Sequence, residues 1–206
     1  IFISGAKKYV RHSVEEEMGK KVCQNLITAF MSVEDSPYKF ISGMGMSIGH
    51  FICGTIKQKC NEKNINRYLQ MEPFPFTSPE DNERHRECMI KKAGIFIFIF
   101  GDFDKNQKNI EDSGMWKEYL LAKSNKDNII IPLPCGADSI SSKIYEKELE
   151  EADSFTNRYH SLLQNFEYQT SDIHFFEELV EKTILSTRAK LDTIIDEIEK
   201  NLNSKN

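Results

Sequence analysis

The chain has 206 residues, 39% of them hydrophobic and 11% aromatic, enough to bury one sizeable core and too apolar for a disordered or fibrous chain. A formal net charge of −5 argues against a duplex nucleic-acid surface, which rests on clustered Lys and Arg, but leaves room for a small anionic ligand held by a few local donors. No apolar run approaches the roughly 20 residues of a membrane-spanning helix, and the N-terminus carries no secretory signal.

Ile1-Phe2-Ile3-Ser4-Gly5 reads as a buried strand closed by a glycine, and Ser13-Val14-Glu15-Glu16 is a capping box that opens an amphipathic helix through Val33. The chain begins inside that strand without an initiator Met, so an excised domain is expected. Lys39-Phe40-Ile41-Ser42-Gly43-Met44-Gly45-Met46-Ser47-Ile48-Gly49-His50 then breaks a short apolar strand into glycines and reopens as a helix to about Cys60. Glycines at such a strand tip let the backbone approach a ligand, and the first turn of the next helix offers free N–H groups and a positive dipole end. The spacing is G-x-G-x-x-x-G, one residue longer than the dinucleotide fingerprint, so an ordinary strand-to-helix turn is the alternative on this loop alone.

Arg67 to Met71 gives a third strand, closed by Pro73-Phe74-Pro75; a helix covers Glu80 to Lys92. Ile95-Phe96-Ile97-Phe98-Ile99-Phe100 is the strongest apolar strand, and a helix follows from Gly114 to Ser124. Ile129 to Pro132 forms the fifth strand, followed by a helix around Ser142 to Glu150. Strands alternating with helices, two of them continuous apolar runs, predict an α/β fold: a Rossmann-like, doubly wound, mainly parallel sheet. From Phe175 to Leu202 apolar positions keep helical spacing, on one helix or two. The expected organisation is a nucleotide-binding unit over residues 1–150 and a helical C-terminal extension over 151–206, packing on that unit or on a second copy.

Ligands of such sheets sit beyond the carboxyl ends of the strands, which collects Ser4, Gly5, the Gly43 loop, Phe74, Asp102 and Phe103 on one rim, with Gly136 a further candidate after the fifth strand. Arg86 precedes the strongest strand and Glu118 lies in the first turn after it. A guanidinium suits phosphate, and a carboxylate near a helix start can accept from a ribose diol. The five cysteines (Cys23, Cys53, Cys60, Cys88, Cys135) form no C-x-x-C pair, consistent with reduced thiols in a cytoplasmic protein. The five histidines are dispersed without metal-ligand spacing, so no catalytic triad, metal or cofactor is expected.

The order of these motifs resembles the SLOG superfamily, nearest to its ligand-sensing STALD branch from bacterial Thoeris anti-phage effectors. The resemblance is carried by Ile1 to Gly5, Ser42 to Gly49, Pro73-Phe74-Pro75, Arg86 to Ile90, Ala93 to Gly101, Gly114 with Glu118, and Ile130-Ile131-Pro132. It implies a domain that binds a cyclic ADP-ribose isomer, made from NAD by a TIR-domain partner, and that switches on an effector in the same chain, an NADase. It also implies pairing into a homodimer or higher oligomer. Arg86 and Glu118 match ligand-contacting positions of that family, and Gly43, Met44, Gly45 and Met46 match its phosphate loop. Phe74, Met115 or Trp116 is expected to line a base, and Gly114, which opens the helix of Glu118, is a further candidate ligand-binding residue. Two family cations are missing, with Glu72 before Pro-Phe-Pro and Gly101-Asp102-Phe103 where Gly-Asn-Lys is usual; the alternatives are Lys105 reaching back, Phe103 stacking on adenine, or Phe103 simply packing. The rival readings are a LOG-like phosphoribohydrolase cleaving an N-glycosidic bond, and an oligomerisation module with a vestigial pocket. The hydrolase motif Pro-Gly-Gly-x-Gly-Thr-x-x-Glu retains only one glycine and the Glu in Asp112 to Glu118.

Overall fold

The structure is a computed structural model that describes residues 1–5, 13–34, 36–43, 47–60, 64–75, 78–102, 109–136 and 138–203. Met44, Gly45, Met46, Phe103 and Lys105 lie outside the described residues.

Five strands build one sheet: β1 (Phe2–Ser4), β2 (Phe40–Ser42), β3 (Leu69–Met71), β4 (Ile95–Ile99) and β5 (Ile129–Leu133). Their order is β3-β2-β1-β4-β5, and every pair is parallel. The alternation of Ile and Phe in β4 explains the two-layered core. Ile95, Ile97 and Ile99 point to one face and Phe96 and Phe98 to the other, because successive side chains of a strand leave opposite sides. Pro132 is tolerated because β5 is an edge strand.

The isoleucine face is covered by α1 (Val14–Met31), α2 (Ile48–Lys59) and the long α10 (Ile173–Asn203). The phenylalanine face is covered by α4 (Pro79–Ile90), α5 (Gly114–Lys123) and part of α6 (Ile140–Leu149). Ser13 caps α1 as its capping box predicts, its Oγ accepting from Glu16 N at 3.1 Å. Ser78 and Pro79 open α4 with a capping serine and a first-turn proline.

Two departures from the sequence reading have simple causes. The third strand is shorter than predicted because Ile65–Tyr68 coil into a single helical turn, α3. The segment after α6 folds into three one-turn helices, α7 (Phe155–Arg158), α8 (His160–Leu163) and α9 (Phe166–Gln169), too short to carry a periodic pattern. The C-terminal stripe is one helix: Phe175, Phe176, Leu179 and Val180 are buried in the same core as β1 and β4, while Leu191, Ile195, Ile198 and Leu202 stand exposed on its far half. Among the described residues no helix is long and apolar enough to cross a membrane.

Candidate functional site

In this strand order the winding of the sheet reverses between β1 and β4, and the crevice beyond the carboxyl ends of those strands is where such sheets bind ligands. The residues that end there are Ser4 and Gly5 after β1, Gly43 after β2, and Phe100, Gly101 and Asp102 after β4. Gly5 is required by contact: a β-carbon on it would stand 2.5 Å from the carbonyl oxygen of Ile99. Phe100 and Gly101 both take positive φ, 59° and 89°. Their carbonyls accept from Ser141 N and Ile140 N, so the start of α6 is closed by backbone. Asp102 is exposed on the same rim.

The polar centre is a buried triad of side chains. Glu118, 7% exposed, accepts from the hydroxyl of Ser4 through Oε2 and from Arg86 Nε at 3.4 Å through Oε1. Arg86, 8% exposed, comes from α4 and reaches across to α5. Its guanidinium carbon lies 5.0 Å from the centre of the Phe74 ring, a cation–π distance. Two glycines make room on either side: a β-carbon on Gly43 would meet Phe74 Cε2 at 2.9 Å, and one on Gly114 would meet Arg86 Nη2 at 3.0 Å. Gly43, Phe74, Arg86, Gly114, Glu118 and Ser4 therefore form a continuous wall, drawn from five separate stretches of sequence.

The wall sets one guanidinium and two carboxylates beside a helix start. Gly114 begins α5, whose N-cap Ser113 is engaged with Trp116 N, so the guanidinium lies beside the positive pole of a helix. Cations are disfavoured there and anions favoured. Arg86 is stabilised by two carboxylates, Glu118 and also Glu83, whose Oε1 is 2.9 Å from Arg86 Nη1. That contact is off the hydrogen-bond axis, and Nη1 is a buried donor without an aligned acceptor. Burial pushes the Glu118 carboxyl above its ordinary 4.5, with Glu83 adding to the rise, against the opposing pull of Ser4 and Arg86. For Glu83 burial is outweighed by Lys117 and Arg86, which hold it below 4.5.

A raised carboxyl binds more protons in the folded chain than in the unfolded one. Its contribution to stability is complete below 4.5 and is lost as pH rises through the raised value. Denaturant midpoints of wild type and Glu118→Gln, measured upward from pH 4, are expected to diverge, the wild type losing stability relative to the variant as pH rises.

Sequence reasoning placed Ser4, Gly5, Gly43, Phe74, Arg86, Gly114 and Glu118 at one site, and the structure brings these together. Trp116 is not brought to them. Its ring packs on Tyr119 at 5.3 Å and lies under Lys147 of α6, because residues two apart on a helix face away from each other and Glu118 takes the cleft. Met115 packs toward Gly101, whose added β-carbon would come within 2.5 Å of its sulfur. Glu72, which replaces a family arginine, is tied to Lys92 at 2.5 Å and to Gln70. Glu83 and Lys117 were missed; the i, i+3 spacing of Glu83 and Arg86 on one helix was the available signal. Among the described residues no group of His, Cys, Asp and Glu is arranged to hold a metal ion.

Strand order, layering and the polar rim at the switch point define a Rossmann-like α/β domain. The sequence places it more narrowly: the model of the Sir2- and TIR-associating SLOG family (STALD) matches residues 1–191, and the chain belongs to that family. It is 31% identical over 172 residues to the NAD(+) hydrolase ThsA of Enterococcus faecium, covering 81% of this chain and 35% of that protein. Its identity to the NAD(+) hydrolase ThsA of Cytobacillus dafuensis is 26% over 157 residues, covering 71% and 31%, and to that of Bacillus cereus (strain MSX-D12) 24% over 162 residues, covering 75% and 32%. The chain thus spans about a third of the length of these curated relatives.

Proposed function

We propose that this chain is the sensing part of an NAD-consuming anti-phage effector, binding a cyclic ADP-ribose isomer without cleaving it. The observation that carries the reading is the Ser4–Glu118–Arg86 cluster at the switch point between β1 and β4. An arginine whose Nη1 faces the half-exposed Glu83 without an aligned hydrogen bond fits a phosphate oxygen. A carboxylate held beside it fits a ribose hydroxyl. Membership in a family associated with Sir2 and TIR domains, and relatives named as NAD(+) hydrolases, support a ligand derived from NAD and an effector joined to this domain in the same chain.

Retention of the ligand intact is favoured by the loop before Glu118. Hydrolases of the LOG type need a glycine-rich turn that brings backbone against the phosphate. Here Ser113 caps the helix, while Met115 and Trp116 are committed to packing. Overnight incubation with AMP, cytokinin-type nucleotides and cyclic ADP-ribose isomers, followed by chromatography, tests this part. Unchanged nucleotides are expected, and release of free base, or opening of the cyclic compound to ADP-ribose, would replace the reading with hydrolysis.

Binding acts on the effector only through differential affinity for two arrangements of the protein. Self-association is a second role for the chain, favoured by the exposed Leu191, Ile195, Ile198 and Leu202 stripe. Sedimentation velocity is expected to show a dimer or larger species that Ile198→Glu dissociates; a monomeric wild type would remove this role.

A further inference from the structure

Arg86 is enclosed and Glu83 is half exposed. The arginine side chain is 10% exposed and held by Phe74, Gly114 and Glu118, whereas that of Glu83 is 44% exposed. One oxygen of Glu83 is shared between two cations, Arg86 Nη1 at 2.9 Å and Lys117 Nζ at 3.1 Å. Glu83 and Arg86 are three apart on α4, a spacing that brings charges together but here leaves the Nη1 hydrogen bond unaligned. A phosphate that takes the Nη1 edge of Arg86 must therefore move Glu83, and Lys117 is already in place to receive it.

We infer that Glu83 is a specificity residue that stands in for the ligand's phosphate on Arg86, and that an arriving anion displaces it onto Lys117. The inference rests on the reading of this rim as a phosphate-binding site. Its consequence is a charge threshold. An uncharged nucleoside or a monoanion gains too little at Arg86 to displace a carboxylate that pairs with the arginine directly, while a pyrophosphate, bringing more charge and more acceptor oxygens, gains enough. Glu83 costs the correct ligand some affinity and costs weaker anions more, which is discrimination by a repulsive element built into the site.

The test is titration calorimetry at low ionic strength with two probes, inorganic pyrophosphate and a cyclic ADP-ribose isomer, on five proteins: wild type, Glu83→Gln, Lys117→Ala, the double variant, and Glu87→Gln. Glu87 is an exposed acid on the same helix, paired with Lys91, and controls for a general change of charge. Because Glu83 is partly solvated, the expected gain in Glu83→Gln is about three- to fivefold, against less than about twofold for Glu87→Gln. Lys117→Ala is expected to weaken binding when Glu83 is present and to change nothing in the Glu83→Gln background.

An equal or weaker affinity in Glu83→Gln overturns the inference. So does an equal gain in Glu87→Gln, or a Lys117 effect that is the same in both backgrounds, which would mean that Lys117 touches the ligand itself. If pyrophosphate shows the gain and the cyclic nucleotide gives no heat, the inference stands and the nucleotide reading fails. Silence from both probes on every protein overturns both.

Discussion

Arg86→Ala is expected to weaken binding of the cyclic nucleotide more than tenfold and to lower folding stability by about 3 kcal/mol at pH 7. Two effects share one cause. The guanidinium supplies the donors that meet a phosphate, and it is also a counter-ion of Glu118, which is 7% exposed and has Ser4 as its other partner. Removing it leaves a buried carboxylate facing a neighbouring acid, Glu83. The cost is bounded because Glu118 can take up a proton, and neutralising a carboxyl of ordinary pKa at pH 7 costs about 1.4 kcal/mol for each pH unit above that value. The deficit therefore shrinks on acidification, since the carboxyl that burial already raises is raised further when its cation is lost. Urea denaturation at pH 7 and pH 5, paired with calorimetry of the folded variant, checks both parts. Arg86→Lys separates them: it restores most of the charge and little of the affinity, because an ammonium lacks the planar fork.

Gly5→Ala is expected to destabilise the fold by about 1–3 kcal/mol. The added methyl would lie 2.5 Å from a backbone oxygen, Ile99 O, and 2.8 Å from Ile99 Cγ2. A carbonyl in a central strand cannot swing aside as a side-chain tip can, so the ends of β1 and β4 must separate. Ser4 pairs with Phe98 across that ladder, and its hydroxyl is the partner of Glu118, so ligand affinity should fall together with the thermal midpoint. Gly54→Ala is the control: it lies in a helix, and a β-carbon there meets nothing within 4 Å. Unchanged stability in Gly5→Ala would mean that the two strand ends are not packed as described.

The layering of the sheet was legible because β4 carries it in its residues: Ile and Phe alternate, both types are apolar, and a strand buried on both faces is the simplest way to use them. A helix start was legible where a serine precedes an acidic first turn, as at Ser13. The polar wall was legible in its members, since Arg86, Gly114 and Glu118 are residue types with few other reasons to lie beside the central strand. The direction of Trp116 was not legible as read. An aromatic in the first turn of α5 looks like a base platform until the helical phase is applied, and that phase sends it toward α6 while Glu118 turns to the cleft. Glu83 escaped notice because α4 is crowded with charges, and only the contact with Arg86 distinguishes it from its exposed neighbours. The turns between Phe155 and Gln169 escaped because one turn of helix has no periodicity to read.

The central claim is most directly tested by a crystal structure of the chain with a cyclic ADP-ribose isomer. The account predicts density for the uncleaved compound in the crevice beyond β1 and β4, with a phosphate on Arg86 and a ribose hydroxyl on Glu118. Density at any other surface, or a compound broken at its glycosidic bond, would contradict it.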